Sequence, residues 1–110
     1  MKRRNRKQLE ARVAEAKTQK DKARTYYELA LFHDNNSREK EAIPYYRKAI
    51  ALGLDQKTKG EAYAWLASSL YKANQTRNSL KYIKLSRDIA QSKKLNKFLD
   101  GLEKRIKGNK

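Results

Sequence analysis

The sequence contains no cysteine, one proline and four glycines in 110 residues. Without thiols, disulfide bonds, zinc–cysteine sites and thiol catalysis are all excluded. The shortage of proline and glycine favours long helices, because these two residues interrupt helices most strongly. No apolar run approaches the roughly 18 residues that a membrane-spanning helix needs, and the basic start at residues 1–7 is followed by polar residues, unlike a secretory signal. We therefore expect a soluble, cytoplasmic protein without a membrane partner.

The charge of the chain is strongly positive, with a formal net value of +16. Residues 1–22 carry nine Lys and Arg against three Asp and Glu, and residues 81–110 carry ten against three, whereas residues 23–80 carry nine against six. Basic ends attract polyanions such as nucleic acid, and they also serve as solubility devices without a dedicated partner; both interpretations stay open. The candidate polyanion contacts are Lys2, Arg3, Arg4, Arg6, Lys7, Lys93, Lys94, Lys97, Lys104, Arg105 and Lys107.

Residues 1–22 form a basic lead-in. Leu9, Val13 and Ala16 recur at spacings of three and four, which predicts a helix with a thin apolar stripe. Residues 1–7 are expected to fray. The lead-in is therefore predicted to be partly helical or disordered.

The pattern in residues 23–54 predicts two helices joined by a polar turn. The turn is the segment 34–37, whose Asp, Asn and Ser side chains favour turns and helix caps. Pro44 has no N–H to donate and suits only the first four positions of a helix, so the second helix should begin near Lys40 or Glu41. Gly53 suits the C-terminal end of that helix.

The sequence pattern predicts a second helix hairpin over residues 55–92 and an amphipathic helix with a basic tail over residues 93–110. Asp55 is suited to cap the first helix of this hairpin, and residues 72–76 are expected to form its turn. The sequence nowhere shows the period-two alternation of β-branched residues that is typical of strands, so the predicted fold class is all-α. The last helix has the cleanest apolar stripe, made of Leu95, Phe98, Leu99, Leu102 and Ile106.

The two hairpins repeat one pattern at an offset of 37 residues. Its members, called the packing positions below, are Tyr26, Leu29, Ala30, His33, Ala42, Tyr46 and Ala49 in the first hairpin and Tyr63, Leu66, Ala67, Leu70, Ser79, Ile83 and Ser86 in the second. In order and spacing they resemble the tetratricopeptide repeat family, and the chain looks like its small bacterial members. The family's usual period is about 34 residues. Ser79 and Ser86 stand where the family has alanine, and Leu54 stands where a proline is often found.

The resemblance covers roughly residues 23–91 and implies a short right-handed α-solenoid of antiparallel helix hairpins, with the last helix as a terminal cap. In the family, the other face of the first helix of each hairpin lines a concave groove that holds peptides or helices. The groove positions of this sequence are Tyr27, Leu31, Ala64, Ser68, Tyr71 and Lys72. Tyr27 and Leu31 stand where members that clamp chaperone C-termini carry Lys and Asn, so that activity is not expected.

Residues with catalytic potential are few. His33 is the single histidine, and the family places a packing aromatic at its position, so the resemblance implies a structural role. Asp34 points about 100° away from it on a helix, and no nucleophile follows at a matching spacing. The acidic residues are scattered, and neither a glycine-rich phosphate loop nor a metal-ligand cluster occurs. We expect no enzyme, no cofactor and no metal.

The leading hypothesis is therefore a non-enzymatic adaptor that binds a protein or peptide partner in the groove. The alternative is a nucleic-acid- or ribosome-associated basic protein that uses its Lys/Arg-rich ends, with non-specific, salt-sensitive binding. Two hairpins leave much exposed edge. We therefore also expect that the lead-in folds onto the first hairpin or that the chain self-associates.

Overall fold

The computed structural model describes residues 6–89 and 92–108. These residues form the helices α1 (Arg6–Glu15), α2 (Gln19–Asn35), α3 (Glu39–Leu52), α4 (Gln56–Lys72), α5 (Thr76–Ile89) and α6 (Lys93–Gly108). The same residues contain no strand, and the predicted all-α class is confirmed. The chain divides into two compact units, residues 1–54 and residues 55–110. No helix in the described ranges is both long and apolar enough to cross a membrane.

The hairpin α2–α3 of the first unit is repeated by α4–α5 of the second. Helices α4 and α5 each begin and end 37 residues after α2 and α3, respectively. Ser37 and Asn74, which are also 37 residues apart, adopt the left-handed conformation in the two turns, with φ of 59° and 65°. After each of them the next N–H donates to a carbonyl five residues back, with a distance of 2.8 Å from Arg38 to His33 and from Gln75 to Leu70. Both hairpins therefore turn through the same helix-end motif.

In the first unit, residues 6–15 of the lead-in form α1, which packs on α2. Leu9 of α1 is buried, and the Arg12 guanidinium lies 2.8 Å from the Glu28 carboxylate of α2. Helix α2 begins earlier than residue 23, because the Thr18 side chain accepts a hydrogen bond from the Asp21 N–H and caps it. The boundary predicted between residues 22 and 23 consequently falls inside α2.

Helix α3 begins at Glu39, slightly earlier than predicted, so that Pro44 is its sixth residue. The proline cannot donate the usual bond to the Lys40 carbonyl. Lys40 and Pro44 are both exposed, and water can therefore reach that carbonyl. The helix stops at Gly53, which has a φ of 108° and donates its N–H to the Ala49 carbonyl over 3.2 Å. Glycine adopts this conformation without a steric cost.

In the second unit, α6 packs on α4 and α5 as the predicted cap. Four of its residues enter a buried cluster that also contains Ala64 and Ala67 of α4 and Ile83 of α5. Arg87 of α5 holds the outer side of α6 through the carboxylates of Glu103, at 2.8 Å, and Asp100, at 2.5 Å. The four α6 residues are Leu95, Leu99, Leu102 and Ile106.

Two serines explain how the second hairpin departs from the family pattern. Ser79 and Ser86 of α5 are fully buried where α5 crosses α4. The Ser79 hydroxyl donates to the Ala67 carbonyl at 2.6 Å, and the Ser86 hydroxyl donates to the Gly60 carbonyl at 2.8 Å. Serine is small enough for this crossing and adds a bond between the helices that alanine lacks.

Candidate functional site

The packing positions form the interior of both hairpins. Twelve of the fourteen are buried. Their small and large side chains can therefore interlock between the crossing helices. Tyr26 and Tyr63 are the exceptions, since both remain partly exposed.

Tyr26 and Tyr63 each pair with a second tyrosine across their hairpin. The ring centroids lie 5.9 Å apart for Tyr26 and Tyr45 and 5.8 Å apart for Tyr63 and Tyr82. The Lys48 ammonium lies 5.4 Å from the Tyr26 centroid, within the range of a cation–π contact. Tyr45 and Tyr82 were missed as partners, although their spacing of 37 residues is visible in the sequence.

Two groove positions differ from their predicted exposure. Tyr27 is only 9% exposed, and its ring lies 6.1 Å from that of Tyr46 on α3. Because α1 and α3 both pack on α2, the buried part of α2 is wide enough to include adjacent residues. Ala64 is fully buried in the cluster beneath α6. Neither side chain offers an exposed anchor.

The other groove positions stay accessible. Leu31 on α2 and Ser68 and Tyr71 on α4 are partly exposed, and Lys72 at the end of α4 is exposed. Ser68 and Lys72 are four residues apart and therefore share one face of α4. This face is the accessible remainder of the predicted groove in the second unit.

His33 is a buried packing residue. Its ring is 1% exposed and stacks on Tyr45 at a centroid distance of 5.5 Å. Neither ring nitrogen has a hydrogen-bond partner. Burial, followed by the positive charges of Arg6 and Arg38, lowers the pKa of His33 below its ordinary value. The imidazole is therefore neutral at pH 7.

Asp34, next to His33, has a structural partner. It accepts a hydrogen bond from the Tyr46 hydroxyl at 2.9 Å. Burial and the neighbouring Asp34 carboxylate raise the pKa of Tyr46 well above its ordinary value, so that its hydroxyl stays protonated and donates. Among residues 6–89 and 92–108, no group of three or more His, Asp and Glu side chains could hold a metal ion.

The basic residues of α6 form an exposed stripe. Lys93, Lys97, Lys104 and Lys107 follow helical spacing on the side opposite the buried face, and Lys94 and Arg105 flank them. All six are exposed. At the other end of the chain, Lys7 and Arg6 of α1 are exposed, with Arg6 2.7 Å from Glu10. The candidates Lys2, Arg3 and Arg4 lie outside the described residues.

A cleft of about 790 Å³ opens in the second unit beside α4 and the beginning of α6; it is called the α4–α6 cleft below. Trp65 and Phe98 form its apolar centre, with ring centroids 4.9 Å apart and planes inclined by 72°. Apolar side chains with a few polar groups around them are typical of ligand-binding clefts of this size. The remaining described lining residues are Gln56, Lys57, Glu61, Ile89, Ser92, Lys94 and Leu95.

The α4 side of the cleft continues the accessible groove face. Lys57, Glu61 and Trp65 follow one another at four-residue spacing, which places them on the same side of α4 as Ser68 and Lys72. Asp55 fixes the start of this helix, since its carboxylate accepts from the Thr58 N–H at 2.9 Å. The four-residue series Lys57, Glu61, Trp65 is the sequence signal that could have identified this wall.

The comparisons with known proteins agree with the repeated hairpins. The model of the family described as Tetratrico peptide repeat matches residues 23–103, most of the chain. The match begins within α2, continues through the rest of both hairpins and ends within α6. No curated protein and no solved structure matches the chain. The chain thus belongs to the tetratricopeptide repeat family, whose repeats generally mediate protein–protein interactions.

Proposed function

We propose that this chain is a non-enzymatic, cytoplasmic adaptor that binds a peptide or helix of a partner protein on the groove face of α4. The observation that supports this proposal is the α4–α6 cleft, into which that face continues. In the first unit, Leu31 is the accessible groove position on α2. Tyr27 of the first unit and Ala64 of the second are buried and do not touch the partner.

The side chains of the cleft suit recognition of a partner side chain. Trp65 and Phe98 are rigid aromatics that bury a large area while losing little conformational entropy. Ser68 and Lys72 lie one to two turns further along α4 and offer a hydroxyl and a charge to the rest of a bound segment. An apolar centre with polar groups beside it is the usual organisation of an interface hot spot.

The proposal is tested by random-peptide display on the immobilised chain, followed by titration of the selected peptides. Trp65 is the single tryptophan, so its fluorescence reports binding in the cleft directly. We expect Phe98→Ala to weaken the selected peptides by about 2 kcal/mol, the scale of a hot-spot residue. Lys84→Ala, an exposed change on α5, is the matched control and should leave affinity unchanged. Selected peptides that leave Trp65 unaffected would contradict the proposal.

A second candidate function is non-specific binding of nucleic acid, which the exposed lysine stripe of α6 favours. Gel shifts with mixed RNA and DNA test it at low and at moderate salt. Binding should fall steeply as salt rises, because released counterions drive it, and Lys97→Ser with Lys104→Ser should reduce it. An absence of binding at low salt eliminates this candidate, whereas tight, salt-resistant binding would contradict the adaptor proposal.

A further inference from the structure

We propose that the occupant of the α4–α6 cleft is an acidic peptide segment that carries one apolar side chain. The apolar side chain packs against the paired rings of Trp65 and Phe98, and carboxylates on either side of it pair with Lys57 and Lys94. This inference rests on the proposed function and adds the chemistry of the partner.

The centre of the cleft requires an apolar guest. Trp65 and Phe98 pack against the buried cluster of the second unit and are themselves only partly buried. Ile89 and Leu95 extend the apolar lining. A guest side chain of the same character removes this surface from water, whereas a polar side chain would lose its hydration there without a hydrogen-bond partner.

The charged rim of the cleft selects a partner of opposite sign. Two lysines, Lys57 on α4 and Lys94 on α6, are exposed at the rim, and the carboxylate among the described lining residues is Glu61. The lysines come from different helices and can therefore contact carboxylates on both sides of a centrally bound side chain. Complementary charge of this kind determines which partner is accepted and speeds its approach.

The beginning of α6 strengthens the positive potential at this rim. Its first turn contains Lys93 and Lys94 and no acidic residue. The N-terminal end of a helix carries a partial positive charge, so that acidic side chains stabilise it and basic ones do not. The two lysines therefore destabilise the start of α6. A bound carboxylate would neutralise the positive charge of the lysines and of the helix end.

The net charge of the second unit as a whole also favours an acidic partner. Residues 55–110 carry fourteen Lys and Arg against five Asp and Glu, a net of +9. Some of these carboxylates are engaged within the unit, since Asp55 caps α4 and both Asp100 and Glu103 pair with Arg87. The unit thus attracts acidic partners over distances up to a Debye length, about 8 Å at physiological ionic strength.

The experiment uses four synthetic peptides of equal length and the full chain, with Trp65 fluorescence as the readout. In three of them a central leucine is flanked on each side by two glutamates, two serines or two lysines; in the fourth an alanine replaces the leucine between glutamates. We expect the glutamate–leucine peptide to bind most tightly and the lysine–leucine peptide most weakly, with steps of roughly tenfold in Kd.

Charge reversal at the rim provides the decisive variant. Lys57→Glu with Lys94→Glu changes exposed residues and should leave the fold intact, as circular dichroism can verify. It should invert the order, so that the lysine–leucine peptide becomes the tightest binder. Arg77→Glu with Lys84→Glu, two exposed α5 changes away from the described cleft lining, alters the net charge by the same amount; it is the matched control and should preserve the original order.

The outcomes separate this inference from the function on which it rests. Equal affinity for the glutamate and serine peptides overturns the acidic partner but leaves peptide binding intact. Failure of every leucine peptide to bind overturns both. Equal affinity with alanine at the centre shows that no apolar anchor is used. A free chain that is dimeric by light scattering and becomes monomeric on charge reversal assigns the cleft to a second copy, and a Trp65 response to single-stranded DNA alone assigns it to nucleic acid; either result overturns the proposal.

Discussion

The buried serines of the second unit test whether hydrogen bonds between α4 and α5 stabilise their crossing. Ser69, Ser79 and Ser86 are all fully buried. The hydroxyls of Ser79 and Ser86 donate to carbonyls of α4, whereas the Ser69 hydroxyl has no hydrogen-bond partner. Replacing each serine by alanine removes the same atom from the same interior. The three variants therefore differ in whether a bond is lost.

The expected effects have opposite signs. Ser86→Ala removes one bond but leaves the Gly60 carbonyl its partner within α4, so the loss should be about 1 kcal/mol, the net value of an ordinary hydrogen bond. Ser79→Ala should cost a similar amount, again about 1 kcal/mol. Ser69→Ala removes a hydroxyl whose unpaired burial costs about 1–3 kcal/mol and also improves helix propensity. It should therefore stabilise the unit by about 1 kcal/mol.

Urea unfolding followed by Trp65 fluorescence measures these differences in the second unit. The urea slope should stay constant, so that shifts of the midpoint report the free energy of unfolding alone. Ser68→Ala, a partly exposed change on the same helix, gives the background effect of helix propensity. The reasoning is refuted if Ser86→Ala and Ser69→Ala shift the midpoint equally in one direction. In that case residue size alone would explain the family's preference for alanine at these crossings.

Three further predictions concern single residues. Because burial lowers the pKa of His33, its contribution to stability should be full above about pH 6.5 and decline as the pH falls toward the folded pKa. In His33→Phe, the melting temperature should no longer show this decline between neutral and mildly acidic pH. An unchanged decline in the variant would contradict the prediction. Ser37→Gly, at a φ of 59°, should stabilise the fold by about 1 kcal/mol by calorimetry, and an equal gain in Ser37→Ala would exclude the conformational explanation. Arg87→Ala should lower stability by about 0.5–1 kcal/mol at low salt, and a loss that high salt does not reduce would argue against its ion pairs.

The limits of the helices follow from local features of the sequence. Gly53 and Asp55 mark the junction of the two hairpins through local properties. Glycine adopts the positive φ at residue 53 because it has no side chain, and the Asp55 carboxylate caps α4. The repeat of 37 residues is likewise visible in the letters, and it recurs in the ends of the helices and in their turns. Such features act over a few residues and could therefore be predicted from the sequence.

Exposure and the cleft depend on contacts between distant segments. Periodicity shows which residues share a face of α2. It does not show that α1 and α3 both pack on that helix, and so it could not reveal that Tyr27 is buried. Trp65 and Phe98 are brought together because α6 packs back on α4. The sequence alone thus determined the helices, the repeat and the family. The tertiary structure decided which side chains are accessible, because accessibility depends on how many neighbouring elements pack on each helix.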